Sequence, residues 1–402
     1  MSTRKKDLVE EFWDSDVFAL CRVHARQIET RDFLDEFRSF LGAHGTIWPA
    51  RSGSIALQQF LARAIPRKAG CVLLSSFNCR LVADAVLKAG LRIETFDLAD
   101  TAGRINWESI ADQLKPRHRA VVIPHLFGVP TDFRPILGAA EKLGVLVIED
   151  CAHTVGGTIE NSMAGTVGDA AIFSFNYDKP ISLGGGGLLV VNTPDLSSRI
   201  HFDEPVIGVE TEERELKAFL AYLHRRRQGT NRSRLLAVTL RRIKNAFTYG
   251  IVRRLVKPTV VPWGTKRLFP VSGIGPLRAA LGLWQLQRYP DIVRNRNANS
   301  TFFTDGTGKS WYVGPRVTPA WLKQKVIPTP LEAGPEISHS LRRQGLPVGP
   351  FSWRLTIDRY LGLPEKPNAA VVARHGLDIP IHQNIGSADL ELIRRAICGE
   401  GV

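Results

Sequence analysis

"FSFNYDKPISLGGGGLLVV", Phe173 to Val191, carries one lysine, Lys179, between two apolar runs, with four glycines, Gly184 to Gly187, behind it. The runs "AAIFSF" and "GLLVV" are almost continuously apolar, as strands buried on both faces are. The glycines accept positive φ and let backbone pass close to a neighbour. On the residues alone the turn also reads as a flexible hairpin, and Ser174 as a strand serine bonded to backbone.

Upstream, "CVLLSS", "RIETFDL", "AVVIPHLFG" and "VLVIED" repeat the strand signal. Between them "GSIALQQFLARAI", "LVADAVLKAG" and "PILGAAEKLG" have helical spacing, and Gly90 is a good helix stop. The alternation from Thr46 to Asn192 predicts an α/β fold with a parallel sheet covered on both faces. In such sheets ligands bind at the carboxyl ends of the strands, which places Asp150, Ser174 and Lys179 at one rim.

The 402 residues are enough for two domains, and 44% hydrophobic with 23% charged residues is ordinary for a globular protein. No window has the ~20 apolar residues of a membrane span. The start, "MSTRKKDLVEEFWDSD", lacks the apolar core of a signal peptide. Five cysteines without a CxxC pair fit a reduced, cytoplasmic protein and offer no metal-type cluster.

In "VLVIEDCAHTVGG" an apolar strand leaves the core through Glu149 and Asp150. Acids at a strand exit can simply cap the next helix. An acid and a lysine on one rim also suit pyridoxal phosphate, which is held on a lysine and needs a carboxylate at its pyridine nitrogen. "RSGSIAL" sets small residues before a helix, where free N–H groups and the dipole favour an anion such as the phosphate.

In order, these motifs resemble the DegT/StrS aminotransferases, fold-type I pyridoxal-phosphate enzymes acting mostly on nucleotide-linked keto-sugars. The resemblance is carried by "VIEDCAHTVGGTIENSMAGTVGDAAIFSFNYDKPISLGGGGLLVVN", "RSGSIAL", "SSFNCRLVADAVLKAGLRIETFDL" and "VVIPHLFGVPTDF", and more weakly by "AALGLWQL" and "IPIHQNI". It implies a mostly parallel seven-stranded sheet between helices and a smaller C-terminal α+β domain. It implies that Lys179 carries the cofactor and moves the proton, and that Asp150 pairs with the pyridinium. Ser54, the Ile55 N–H and Ser174 would hold the phosphate, Phe77 would stack on the ring, and His153 would touch the ring hydroxyl. The implied reactants are an amino donor, glutamate by family habit, and a nucleotide-linked keto-sugar in glycan or sugar biosynthesis. The implied assembly is a homodimer sharing its active site. Two features depart from the family: Gly185 stands where a glutamate is usual, and the cross-subunit asparagine is not recognisable in "LFPVSGIGPLRAALG". They leave open a degenerate cofactor-binding relative with a regulatory or scaffolding role; transfer to a non-sugar ketone is also open.

The expected organisation is N-terminal helices over 1–45, a cofactor-binding domain over 46–267, and a helix with the small domain over 268–402. Within 214–267, fifteen Lys or Arg stand against one acid, Glu215, a surplus of fourteen that matches the net charge of +14. Over 235–255, Leu236, Leu240, Ile243, Phe247 and Ile251 recur at helical spacing among arginines and lysines. Such a helix can pack on protein, face a substrate diphosphate, or lie on an anionic membrane surface. No reader motif accompanies the charge, which argues against nucleic acid.

Overall fold

The computed structural model describes residues 15–66, 70–200, 202, 207–228, 272–304, 310–350 and 353–400. The basic stretch 235–255 lies outside the described residues. By contacts the chain divides into Met1–Val209 with Ser272–Val402, and Glu210–Val271. The N-terminal helices and the C-terminal third thus share one unit with the central sheet. In the second unit, α8 (Val209–Gln228) opens with Glu210 and Glu212, acids suited to the positive end of a helix dipole.

The first unit begins with α1 (Ser15–His24) and α2 (Thr30–Leu41), followed by β1 (Thr46–Ala50) and α3 (Gly53–Ala64). Next come β2 (Cys71–Ser75), α4 (Arg80–Lys88), β3 (Arg92–Phe96), α5 (Trp107–Gln113), β4 (His118–Pro124), α6 (Arg134–Leu143) and β5 (Leu146–Asp150). The small strands β6 (Thr158–Ile159) and β7 (Ser162–Met163) precede β8 (Ala170–Ser174), β9 (Gly187–Val191) and α7 (Pro194–Arg199). These build a seven-stranded sheet in the order β1-β9-β8-β5-β4-β2-β3. Among its strands β9 alone runs against its neighbours, pairing antiparallel with β1 and β8; the other contacts are parallel. Every residue of β2 and β9 is buried, which is why their sequences lack polar alternation. β1 was not legible as a strand in "TIWPA", whose proline and short length mask the pattern. It is an edge strand, where proline is tolerated.

After residue 271 the chain forms α9 (Pro276–Leu286) and α10 (Tyr289–Thr304), with Pro290 in the first turn of the second. The C-terminal part holds β10 (Val317–Thr318), β11 (Gln324–Val326), α11 (Gly334–Arg343), β12 (Gly349–Pro350), α12 (Ile357–Leu361), α13 (Pro367–His375), β13 (Leu377–Ile379) and α14 (Ser387–Cys398). There β13 sits between β11 and β12.

Two packing features position the rim. α2 buries Phe33, Phe37 and Leu41, and its rings meet the strand that leads to Lys179: Phe37 lies 5.1 Å from Phe173 and Phe33 lies 5.6 Å from Phe175, edge to face. Strand alternation turns Ser174 to the opposite side from these two rings. α9 comes close to α2 at Gly282, where an added Cβ would lie 2.4 Å from the Phe33 ring.

Beyond β3, the Asp97 carboxylate accepts the N–H groups of Asn368 (3.1 Å) and Ala369 (2.9 Å). It therefore caps the N-terminus of α13, whose own N-cap residue, Lys366, makes no side-chain cap. Asp358 accepts hydrogen bonds from the Ser76 and Thr95 hydroxyls. The C-terminal part is thereby pinned to the end of the sheet that carries the functional residues.

Candidate active site

Glu149 and Asp150 close β5 and, as consecutive strand residues, face opposite ways. Glu149 is wholly buried and accepts from the Gly165, Val167 and Gly168 N–H groups at 2.7–2.9 Å and from His125 Nε2 at 2.8 Å. Thr131 N–H donates to His125 Nδ1, so the neutral ring carries its proton on Nε2 and donates to Glu149. These bonds outweigh burial and hold the Glu149 pKa below the ordinary carboxylate value. Glu149 is a structural acid with its oxygens committed.

Asp150 is different. It is buried, accepts one hydrogen bond, from Ala152 N–H at 3.1 Å, and burial pushes its pKa up, against the charge of Lys179. A cation at its outer oxygen would offset that penalty. Lys179 is 13% exposed, with its amine 3.9 Å from Asp178, too far for a hydrogen bond. His153 is buried, with burial first and then the charges of Lys179 and Lys323 lowering its pKa well below the usual value. Its Nδ1 accepts the Phe127 N–H at 3.5 Å, which leaves the Nε2–H of the neutral ring as a donor. Trp353 stacks on the ring at 5.1 Å and 16°. The charge of Lys179 thus reaches both Asp150 and His153.

The start of α3 lies against the end of β8. Ser52 forms a bridge with Gly186, and an added Cβ on Gly53 would lie 3.0 Å from the Phe173 carbonyl and 3.3 Å from Ser174 Cβ. Bare backbone therefore lets the helix start lie against the end of β8, with Ser54 and Ser174 alongside. Ile55 is engaged locally. Its N–H donates to the Ser52 hydroxyl at 3.3 Å in an N-cap, and Ser52 also pairs with Ser54 at 3.1 Å. The N–H groups of Gly53 and Ser54 lie ahead of that cap.

Phe77 also has a different setting from the one expected. It is buried among Phe127, Trp311 and Trp353, with ring centroids 5.8–6.3 Å away, and Lys325 Nζ is 6.0 Å from its centre. The side chain of this loop that feels Lys179 and Asp150 is Cys79, whose thiol is pushed up chiefly by burial. Phe77 meets the site through Trp353, which packs on it and stacks on His153.

Sequence reasoning also missed what holds the lysine loop. Gln285 of α9, fully buried, accepts the Ser182 N–H at 2.8 Å and donates to the Ser182 carbonyl at 2.7 Å. Arg278, two helical turns earlier on the same face, donates to the Leu183 carbonyl at 3.2 Å. A glutamine and an arginine at buried helical spacing within "LRAALGLWQL" were the available signal. Gly184, Gly185 and Gly186 have φ of 68°, 144° and 94°. The glutamate usual at position 185 would be strained in that conformation.

Taken together, the mostly parallel sheet, the lysine loop and the buried acid at its rim have the fold of the type I pyridoxal-phosphate aminotransferases. The chain belongs to the DegT/DnrJ/EryC1/StrS aminotransferase family, whose model matches residues 16–222. Over 130 residues it is 33% identical to the UDP-N-acetyl-3-dehydro-alpha-D-glucosamine 3-aminotransferase of Acidithiobacillus ferrooxidans, covering 32% of this chain and 35% of that one. Over 172 residues it is 29% identical to the spore coat polysaccharide biosynthesis protein SpsC of Bacillus subtilis, covering 43% and 44%. The matches therefore span less than half of these relatives' lengths. The protein Spr1654 of Streptococcus pneumoniae, solved in its PMP form, superposes with a TM-score of 0.70 at 14% identity over 96% of this chain and 95% of that one. That likeness is one of fold.

The residues present fit pyridoxal phosphate: a buried carboxylate with one neutral hydrogen-bond partner, a lysine whose charge reaches it, and the N-terminus of a helix packed against the end of β8.

Proposed function

We propose that the protein is a pyridoxal-phosphate-dependent aminotransferase that moves an amino group from an amino acid such as glutamate to a nucleotide-linked keto-sugar. The observation that carries this reading is Asp150, buried with a single neutral hydrogen bond and coupled to the charge of Lys179 at the rim. Its support is the family membership and the relatives' names.

Bound there, pyridoxal phosphate would supply the electron sink that lets nitrogen leave one carbon and join another. Asp150 would hold negative charge against the ring nitrogen. The start of α3, Ser54 and Ser174 would hold the phosphate, and the Nε2–H of His153 would donate to the ring hydroxyl. Lys179 Nζ would take the proton from the donor's reacting carbon and return it on the other side of the transfer. Cys79, Phe127 and Trp353 would keep water from this centre.

A homodimer with a shared site belongs to the same proposal, as does contact of 235–255 with an anionic membrane. Among the described residues no helix is long and apolar enough to cross a membrane.

The test is direct. Purified protein given ample cofactor turns yellow, borohydride fixes the cofactor's mass on the Lys179 peptide, and glutamate bleaches the colour. Absence of that mass on Lys179 would sink the reading; colour that glutamate leaves unchanged would remove glutamate as donor. A screen of nucleotide keto-sugars, read by product mass, identifies the acceptor.

A further inference from the structure

The backbone of Phe127 is held on two sides. Its N–H donates to His153 Nδ1, and its carbonyl accepts the N–H groups of Leu322 (2.8 Å) and Lys323 (3.4 Å). This binds the segment leading into β11 to the rim of the site, and the charge of Lys323 reaches His153 together with that of Lys179. Lys323 is 21% exposed and lies 3.0 Å from Asp378. The same carboxylate also serves the buried amine of Lys325, at 3.7 Å. One acid thus faces two amines. Around them stand rings shared with the site: Phe127 is 5.6 Å from Lys325 Nζ and Phe77 is 6.0 Å from it, and Trp353 covers His153. Charge contacts made next to such rings are less screened than on open surface.

We propose that Lys323, steadied with Lys325 on Asp378, is the anion anchor of this site and takes a carboxylate or phosphate group of a reactant beside His153. The inference rests on the aminotransferase reading, in which two anionic reactants, an amino acid and a nucleotide-linked sugar, use one site in turn. Lys323 offers the solvent-reachable amine; Lys325, inside the aromatic cluster, fixes the acid on which Lys323 leans.

Equilibrium binding below neutral pH tests this with two probes, glutarate for the donor's carboxylates and inorganic pyrophosphate for the nucleotide's diphosphate. Lys323→Gln is expected to weaken at least one probe about tenfold, and Lys323→Arg to restore most of it. Loss of glutarate alone assigns the anchor to the donor, loss of pyrophosphate alone to the acceptor, and loss of both to a shared role. Equal binding by wild type and Lys323→Gln overturns the proposal, as does a wild type that binds neither probe. A second measurement needs no variant: acetylation of Lys323 in the wild-type protein, mapped by mass, should slow when either probe is saturating, and an unchanged rate overturns the proposal. Probes that bind through Lys323 while borohydride leaves no cofactor mass on Lys179 would overturn the aminotransferase reading and leave the anchor standing.

Discussion

Asp150 and Glu149 are adjacent carboxylates with opposite settings, and substitution should separate them. Asp150→Asn is expected to weaken cofactor binding tenfold or more in a titration, with little change in stability, because it removes charge from a site built for a cation. Glu149→Gln should do the reverse and cost about 3 kcal/mol in chemical denaturation, since it disturbs a buried acid that accepts from three backbone N–H groups and from His125. Lys325 offers a pH test. Burial, only partly offset by Asp378, pushes its pKa down from 10.5 to about 7. Between these values the unfolded chain holds a proton that the folded chain has lost, so stability rises with pH across the window. Cys21 and Cys71, pushed up to about 11 from 9.0, oppose this only at higher pH. Lys325→Met should therefore remove most of the gain seen in wild type from about pH 7 to pH 9, measured as Tm against pH. At this scale the sequence points by residue type to Lys179, Asp150 and His153, and the charge of Lys179 reaches the other two. The sequence could not give the settings of Ile55, Phe77 and Cys79, which depend on one hydrogen bond and on two residues along one loop.

The loop from Asn176 to Gly186 takes its shape from both ends: β8 and β9 hold its stems, and α9 holds its middle. Gln285→Leu keeps much of the volume but leaves the Ser182 N–H and carbonyl unmet inside the protein, at a cost of about 2–4 kcal/mol in urea unfolding. Gly185→Ala should cost about 1–2 kcal/mol, because an L side chain is strained at φ 144°. The strands and helices between Thr46 and Asn192 were legible because buried parallel strands and amphipathic helices have distinct periods. The grip of α9 was not, since a buried glutamine reads as an ordinary break in an apolar face until its partner, about a hundred residues away, is seen.

At the scale of the whole molecule, the sheet order and the covering helices follow from the alternation of elements, whereas the junction with the C-terminal part rests on a few acids. Asp97→Ala should cost about 1–2 kcal/mol in urea unfolding, the usual loss for a helix cap. Nothing local in "TFDLAD" marks Asp97 for that task, because its helix lies 272 residues further along the chain. That separation has a temporal meaning. During synthesis Asp97 leaves the ribosome long before α13, so for most of the chain's growth the acid has nothing to cap. Closure across so long a span is slow and comes late. Nascent chains stalled before position 367 should therefore lack the junction that Asp97 makes, and the part of the chain after residue 271 should be cut first when they are exposed to a protease.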